Sequence, residues 1–411
     1  MSLAIPPWVP PAFYWNLIQL IAGLTATFTA AKSPLRLPAA ATTALLAYLL
    51  TTNFQTHFAA TRPSGPIVAM CWVNVLNAFD LLLSSRASYD AQLAYTKSKN
   101  EKKDKPSSKD SLAKKLFYAL ILPYNLRRIN SPWQITRLPR FSASDPSYVP
   151  SRTKFLLQSL FKLAISGLLM HFLTVEPTDP YLVPALARLS ETKSILLLRD
   201  YDLSSILLQA RFSLSFGIIT RAAIVGGYTS GAAIAVLLGS DPAEWPPIAG
   251  SLTGAWSLGR LWGQTWHQIL RRPLSSTATS LSSLFGLSPS SPWTHRIRVI
   301  TAFLGSGLIH ALMDLAFGVP WEKSGAILFF GLQIFGLAIE SVFMRVFGPV
   351  INRVNAKGGA PVWLLTGLGY IWVLGFLFWG APVWINPILV SLARDGTRVM
   401  SPWLGLKPGS F

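Results

Sequence analysis

Two histidines stand out by their surroundings. His267 lies in Trp256–Arg272, WSLGRLWGQTWHQILRR, and His310 lies further on, in FLGSGLIHALMD (Phe303–Asp314). An imidazole exchanges its proton near neutral pH, so each is a candidate general base or hydrogen-bond donor to a reacting group. Read at helical spacing, Arg260, Gly263, His267 and Arg271 share one face of the first stretch, with Trp262, Trp266 and Leu270 beside it. Such a cationic, aromatic-flanked stripe suits a ligand that bears phosphates. In the second stretch His310 is the one strong base. Ser306 precedes it by a turn and Asp314 follows by a turn, within reach to orient the ring. Gly305 and Gly307 leave a gap for close approach to the backbone. The blander readings are a histidine bonding two helices together and tryptophans at a membrane interface. Against these stands the cost of an ionisable group at membrane depth, which marks a functional site by default.

The elements that must position these residues read as membrane spans. The chain has 411 residues, 51% of them hydrophobic and only 13% charged, where a soluble chain carries about 25% charged residues. Core fraction grows too slowly with size to explain that deficit. The formal charge of +19 sits in segments between apolar runs, as in the cytoplasmic loops of a polytopic protein. No recognition motif for nucleic acid accompanies it. One cysteine, Cys71, rules out an internal disulfide framework and a thiolate metal cluster. The five histidines lack zinc-site spacing. Met1–Asn16 has no charged leader region, so the first span is expected to be retained.

Apolar runs long enough to cross a bilayer are Phe13–Ala31, Ala39–Ala60, Ile67–Leu83 and Phe155–Val175. His57 ends the second and reads as an interfacial histidine. Asn74, Asn77 and Asp80 put one polar side on the third. Leu203–Thr220 and Ala222–Leu238 follow as two packed spans or one bent pair, interrupted by Arg221 and Gly226–Gly227. Arg298–Phe317 holds His310; Ser324–Phe347, containing Glu340, and Val362–Trp379 come next, with a further run after Pro382. Ser275–Pro292 reads as a serine-rich loop. Lys97–Lys115 has many lysines and no apolar periodicity, and with Arg127, Arg128, Arg137, Arg140 and Arg152 it belongs on the cytoplasmic side. The expected fold is an all-α polytopic membrane protein of about eight to ten transmembrane helices. An interfacial or re-entrant helix carries the Trp–His motif, residues 1–411 form one membrane domain, and residues 97–115 form a flexible basic loop.

Common enzyme signatures are absent: Leu304–Leu308 is not a nucleophile elbow, Gly305–Gly307 lacks a third glycine, and there is no phosphate-binding P-loop. Three blocks do carry a resemblance. Ser257-Leu258-Gly259-Arg260-Leu261-Trp262-Gly263-Gln264-Thr265-Trp266-His267-Gln268 resembles S-L-x-x-F-W-G-R-R-W-[HN]-Q. Ser306-Gly307-Leu308-Ile309-His310 is similar to S-G-x-x-H. Arg127-Arg128-Ile129-Asn130-Ser131-Pro132-Trp133-Gln134-Ile135 is similar to R-G-I-G-T-x-W-[EQ]-V. In order and approximate spacing they resemble the membrane-bound O-acyltransferase superfamily, in its wax synthase-like branch. Leu261 replaces a phenylalanine, Gln264-Thr265 an arginine pair, and Arg128 and Asn130 the two glycines of the upstream block.

The resemblance implies acyl transfer from a coenzyme A thioester to an alcohol. In relatives from fungal natural-product pathways the implied donor is acetyl-CoA, used as a co-substrate with no permanently bound cofactor and no metal. The implied acceptor is a lipophilic alcohol, such as a terpenoid or related polycyclic metabolite, reaching the site through membrane lipid. His310 takes the role of general base, and His267 an oxyanion-type role. Arg260, Trp262, Gly263, Trp266, Gln268 and Arg271 are the expected contacts to the coenzyme. The endoplasmic reticulum is the expected membrane. The alternatives are a long-chain wax or sterol ester synthase and, from another class, a transporter relaying protons through His310, Asp314 and Glu340.

Overall fold

The computed structural model describes residues 10–58, 65–100, 111–176, 178–180, 182–189, 202–288, 290–356, 362–394, 396 and 399–400. In chain order the helices are α1 (Pro11–Phe28), α2 (Arg36–Phe58), α3 (Gly65–Phe79), α4 (Tyr89–Asn100), α5 (Leu112–Ile121), α6 (Arg152–Phe172) and α7 (Leu182–Ala187). There follow α8 (Leu203–Leu237), the short α9 (Leu258–Arg260), α10 (Arg271–Leu284), α11 (Pro292–Ala316), α12 (Ala326–Ala356), α13 (Val362–Gly380) and α14 (Pro382–Arg394). The all-α expectation holds. A single two-residue antiparallel ladder, Thr174–Val175 with Val399–Met400, is the one sheet among the described residues.

Seven helices among the described residues are long and apolar enough to cross a membrane. These helices carry large apolar side chains on their surface: on α6, Leu157, Leu160 and Phe161 all point outward, the side-chain placement that lipid favours. The protein is an integral membrane protein. Helix starts follow from capping. Pro11 and Pro292 occupy the first turn, where a missing N–H costs nothing. Ser151 and Asp202 side chains accept from Lys154 N and Ser205 N at the heads of α6 and α8.

The chain folds as two compact units. The first comprises residues 1–136 and 269–318, the second 137–268 and 319–411. In the first unit α1, α2, α3 and α11 pack round a core of Ile18, Leu50, Phe54, Val68 and Cys71. Arg36, 1% exposed, ties this unit together through backbone: its guanidinium donates to the carbonyls of Ala26, Thr29, Leu82 and Ala87. In the second unit α6 lies along α8, and a Cβ on Gly226 would stand 3.2 Å from Ser166 Cβ. The small residue at Gly226 therefore allows α6 and α8 to approach closely. Gln209 on α8 and Asn386 on α14 exchange two 2.9 Å amide bonds in the interior.

Several expectations change. Leu203–Leu237 is one continuous helix of 35 residues rather than two spans. Glycines in an apolar setting do not break a helix, because no water is there to take up freed backbone groups. The serine-rich stretch is helical as far as Leu284. Its hydroxyls bond back one turn, Thr277 to Pro273 O, Thr279 to Ser275 O and Ser282 to Ala278 O, so the side chains join the helix instead of competing with it. The basic loop is shorter at both ends, since Lys97–Asn100 complete α4 and Leu112–Lys115 open α5; residues 101–110 lie outside the described residues. So do residues 1–9, with the reading of the amino terminus placed there. The His57 side chain is likewise not described.

Candidate active site

The Trp–His motif, in the second unit, is not one helix. Leu258–Arg260 is a single α-turn, Leu261–Thr265 continues as a π-turn, and Trp266 then takes extended geometry (φ −69°, ψ −172°). His267 forms an isolated antiparallel bridge with Ala249. Arg260, Gly263, His267 and Arg271 therefore do not share a helical face. Trp262 sits in the π-turn, Trp266 and His267 on the extended segment after it, and Arg271 opens α10 in the other unit.

The bridge is built from backbone. Gly250 N donates to Gln264 O at 3.2 Å and Gln268 N to Ile248 O at 3.0 Å, on either side of the His267–Ala249 pair. The Gln268 side chain, buried, donates to Arg137 O at 2.9 Å. At the head of the motif Ser257 caps the turn. The Glu340 carboxylate accepts from Leu258 N, Gly259 N and Trp372 Nε1. An anion over the first N–H groups of a helical turn satisfies donors that have no intrahelical partner. Glu340 is thus a cap for the motif, which gives it a task other than the proton relay considered for it. Trp262 Nε1 donates to Gln333 Oε1 at 3.1 Å, and its ring lies against Trp266, Phe329 and Phe330. Half-buried Arg260 stacks on Trp256 with its guanidinium 4.6 Å from the ring centre, and its Nε donates to Gly254 O. Gly263 is exposed, with open space where a Cβ would stand.

Gly250 is different. A Cβ there would stand 2.5 Å from the Gln264 carbonyl oxygen, and that backbone cannot move without opening the rung beside His267. Gly250→Ala is expected to cost about 1–3 kcal/mol and to lower turnover, measured as kcat beside the unfolding midpoint in detergent. Wild-type values for both would show that the rung is not needed.

His310, in the first unit, is half-buried on α11 between buried Ile309 and Ala311. Its Nδ1 lies 2.7 Å from Ser306 O, and a carbonyl can only accept, so Nδ1 carries a proton and, in the neutral ring, Nε2 is the basic nitrogen. The partner at Nδ1 is thus a carbonyl one turn back. Asp314 is fully buried. The gap expected at Gly305 is filled: a Cβ there would meet Leu274 Cδ2 of α10 at 2.7 Å.

The upstream block explains its own substitutions. Arg128 and Asn130 have φ of +55° and +56°, the left-handed conformation in which glycine is unstrained. These are the two positions where the related motif has glycine. Arg128 is fully buried and bonds Asp80 Oδ2 at 3.1 Å and Asn77 Oδ1 at 2.6 Å. Burial pulls its pKa below the ordinary arginine value, and Asp80 opposes that. Arg272 reaches the other oxygen of Asp80 at 3.1 Å, so this arginine of the motif is held in an ion pair. Asn74, Asn77 and Asp80 are all buried, so the polar side of α3 faces protein. Among the described residues no cluster of histidine, cysteine and carboxylate side chains could hold a metal.

Comparison with known proteins follows the same residues. The profile of the Membrane bound O-acyl transferase family matches residues 245–332, a stretch containing both His267 and His310. Acetyltransferase fsoF of Humicola fuscoatra is 28% identical over 69% of this chain and 70% of its own length. Acetyltransferase aurG of Calcarisporium arbuscula is 26% identical over 70% of this chain and 68% of its own length. Acetyltransferase spyB of Aspergillus fumigatus is 27% identical over 83% of this chain, which spans 58% of that relative.

Proposed function

We propose that this chain, a membrane-bound O-acyltransferase, moves an acetyl group from acetyl-CoA to a hydroxyl of a hydrophobic acceptor, a terpenoid or related polycyclic metabolite, in the endoplasmic reticulum membrane. An alcohol is a weak nucleophile at neutral pH and needs a base within hydrogen-bond reach. In this reading His310 Nε2 takes the hydroxyl proton while the oxygen attacks the thioester carbonyl carbon. The carbon–sulfur bond then breaks, and the imidazolium returns the proton to the leaving sulfur, giving an ester and free coenzyme A. His267 donates to the carbonyl oxygen as it gains charge. Arg260 and Arg271 meet the phosphates of the coenzyme, and Trp262, Gly263, Trp266 and Gln268 shape its seat.

The observation that carries the reading is the 2.7 Å bond from His310 Nδ1 to Ser306 O. With Nδ1–H held there, the neutral ring presents Nε2 as its base, on a helix of apolar composition. The acetyltransferase names of the three relatives favour a two-carbon donor over a long-chain one. The test is competition between acetyl-CoA and palmitoyl-CoA for purified protein and a panel of polycyclic alcohols. Acetyl esters are expected to dominate. Predominant palmitoyl esters would assign the chain to wax or sterol ester synthesis instead.

A further inference from the structure

The geometry points to Arg221 as a positioning residue that holds His267 in place; the inference rests on the proposed role of His267. Arg221 lies within α8, a helix of membrane-spanning length and composition. A guanidinium there is costly unless its donors are used. Two are: one terminal nitrogen donates to Thr265 O at 2.8 Å and the other to Gly250 O at 2.7 Å. Those carbonyls belong to the two segments that pair at His267 and Ala249. Arg221 thus spans the rung from the side, one branch of its planar fork on each segment. Arg221 also lines a small recess together with Ile224, Val225, Ala249, Trp266 and His267.

The arrangement explains why the charge is an arginine. The motif leaves its helix at Thr265, and the backbone pairing of the extended stretch that follows is short. A fork fixed on a rigid helix supplies the missing restraint. Reaction rates are sensitive to such placement, since a misplacement of about 1 Å can cost roughly 100-fold.

The test is a double-mutant cycle on the full-length protein in detergent, with acetyl-CoA and one accepted alcohol. Arg221→Met is expected to lower kcat by about 10- to 100-fold while KM for acetyl-CoA changes less than about threefold, as for loss of an interaction made in the transition state. Arg221→Lys, which keeps the charge and a single donating nitrogen but loses the fork, recovers part of that loss. In a His267→Ala background Arg221→Met adds little further loss, because the two residues act as one unit. Equal losses from Arg221→Met in the two backgrounds, or a fall in kcat that only follows the folded fraction on size exclusion, would overturn the inference. A fully active Arg221→Met beside an impaired His267→Ala removes the inference alone. Wild-type turnover by His267→Ala removes the reading on which it rests.

Discussion

His310→Ala is expected to lower kcat for ester formation by about 10²- to 10⁴-fold, the usual contribution of a positioned general base. KM for the thioester and the unfolding midpoint should stay near the wild-type values. The ring is only half-buried, and its 2.7 Å bond goes to Ser306 O, on the same helix, so its removal leaves the fold little changed. His310→Gln is the sharper control, because it keeps a polar side chain and lacks a base. Its turnover should be as low as that of the alanine variant. Steady-state rates with purified protein decide the matter, and undiminished ester formation by either variant would remove His310 as the base.

Asp80→Asn is expected to destabilise the first unit by about 3–5 kcal/mol, the cost of removing one partner from a buried ion pair. Asp80 has no exposed side-chain surface and is paired with Arg128, also fully buried, and with Arg272. Its oxygens also accept from Ser85 Oγ and Arg272 Nε. Without the carboxylate charge two guanidinium groups are left close together, one of them in the interior with its backbone already held at φ +55°. The pair joins the end of α3, the upstream block and the head of α10, which packs on the helix that carries His310. Thermal unfolding in detergent should show a clearly lower midpoint. An unchanged midpoint would mean that the charges are solvated in a way this geometry does not allow.

What the sequence made legible, and what it did not, divides along physical lines. The apolar spans could be read because a bilayer demands long hydrophobic runs, and α11, α12 and α13 lie close to where composition puts them. The polar side of α3 could be read from Asn74, Asn77 and Asp80 for the same reason. The shape of Trp256–Arg272 could not. Periodicity suggested one helix, but the bridge of His267 to Ala249 and the cap from Glu340 are long-range contacts that override local propensity. The serine-rich helix α10 was hidden because serine ranks as a loop former until its hydroxyls bond back along the helix. Arg221 was visible as a charge between two apolar runs, yet only the fold gives it partners. At Arg128 and Asn130 the sequence showed glycines replaced, and the positive φ values explain why glycine suits those positions.

The most direct measurement follows one labelled acetyl group. Protein in detergent is supplied with acetyl-labelled acetyl-CoA and a polycyclic alcohol, while free thiol is counted against labelled product. The proposed function predicts one thiol released per labelled ester, with the alcohol heavier by one acetyl group. Acceptor moving across sealed vesicles with the thioester left intact would contradict it.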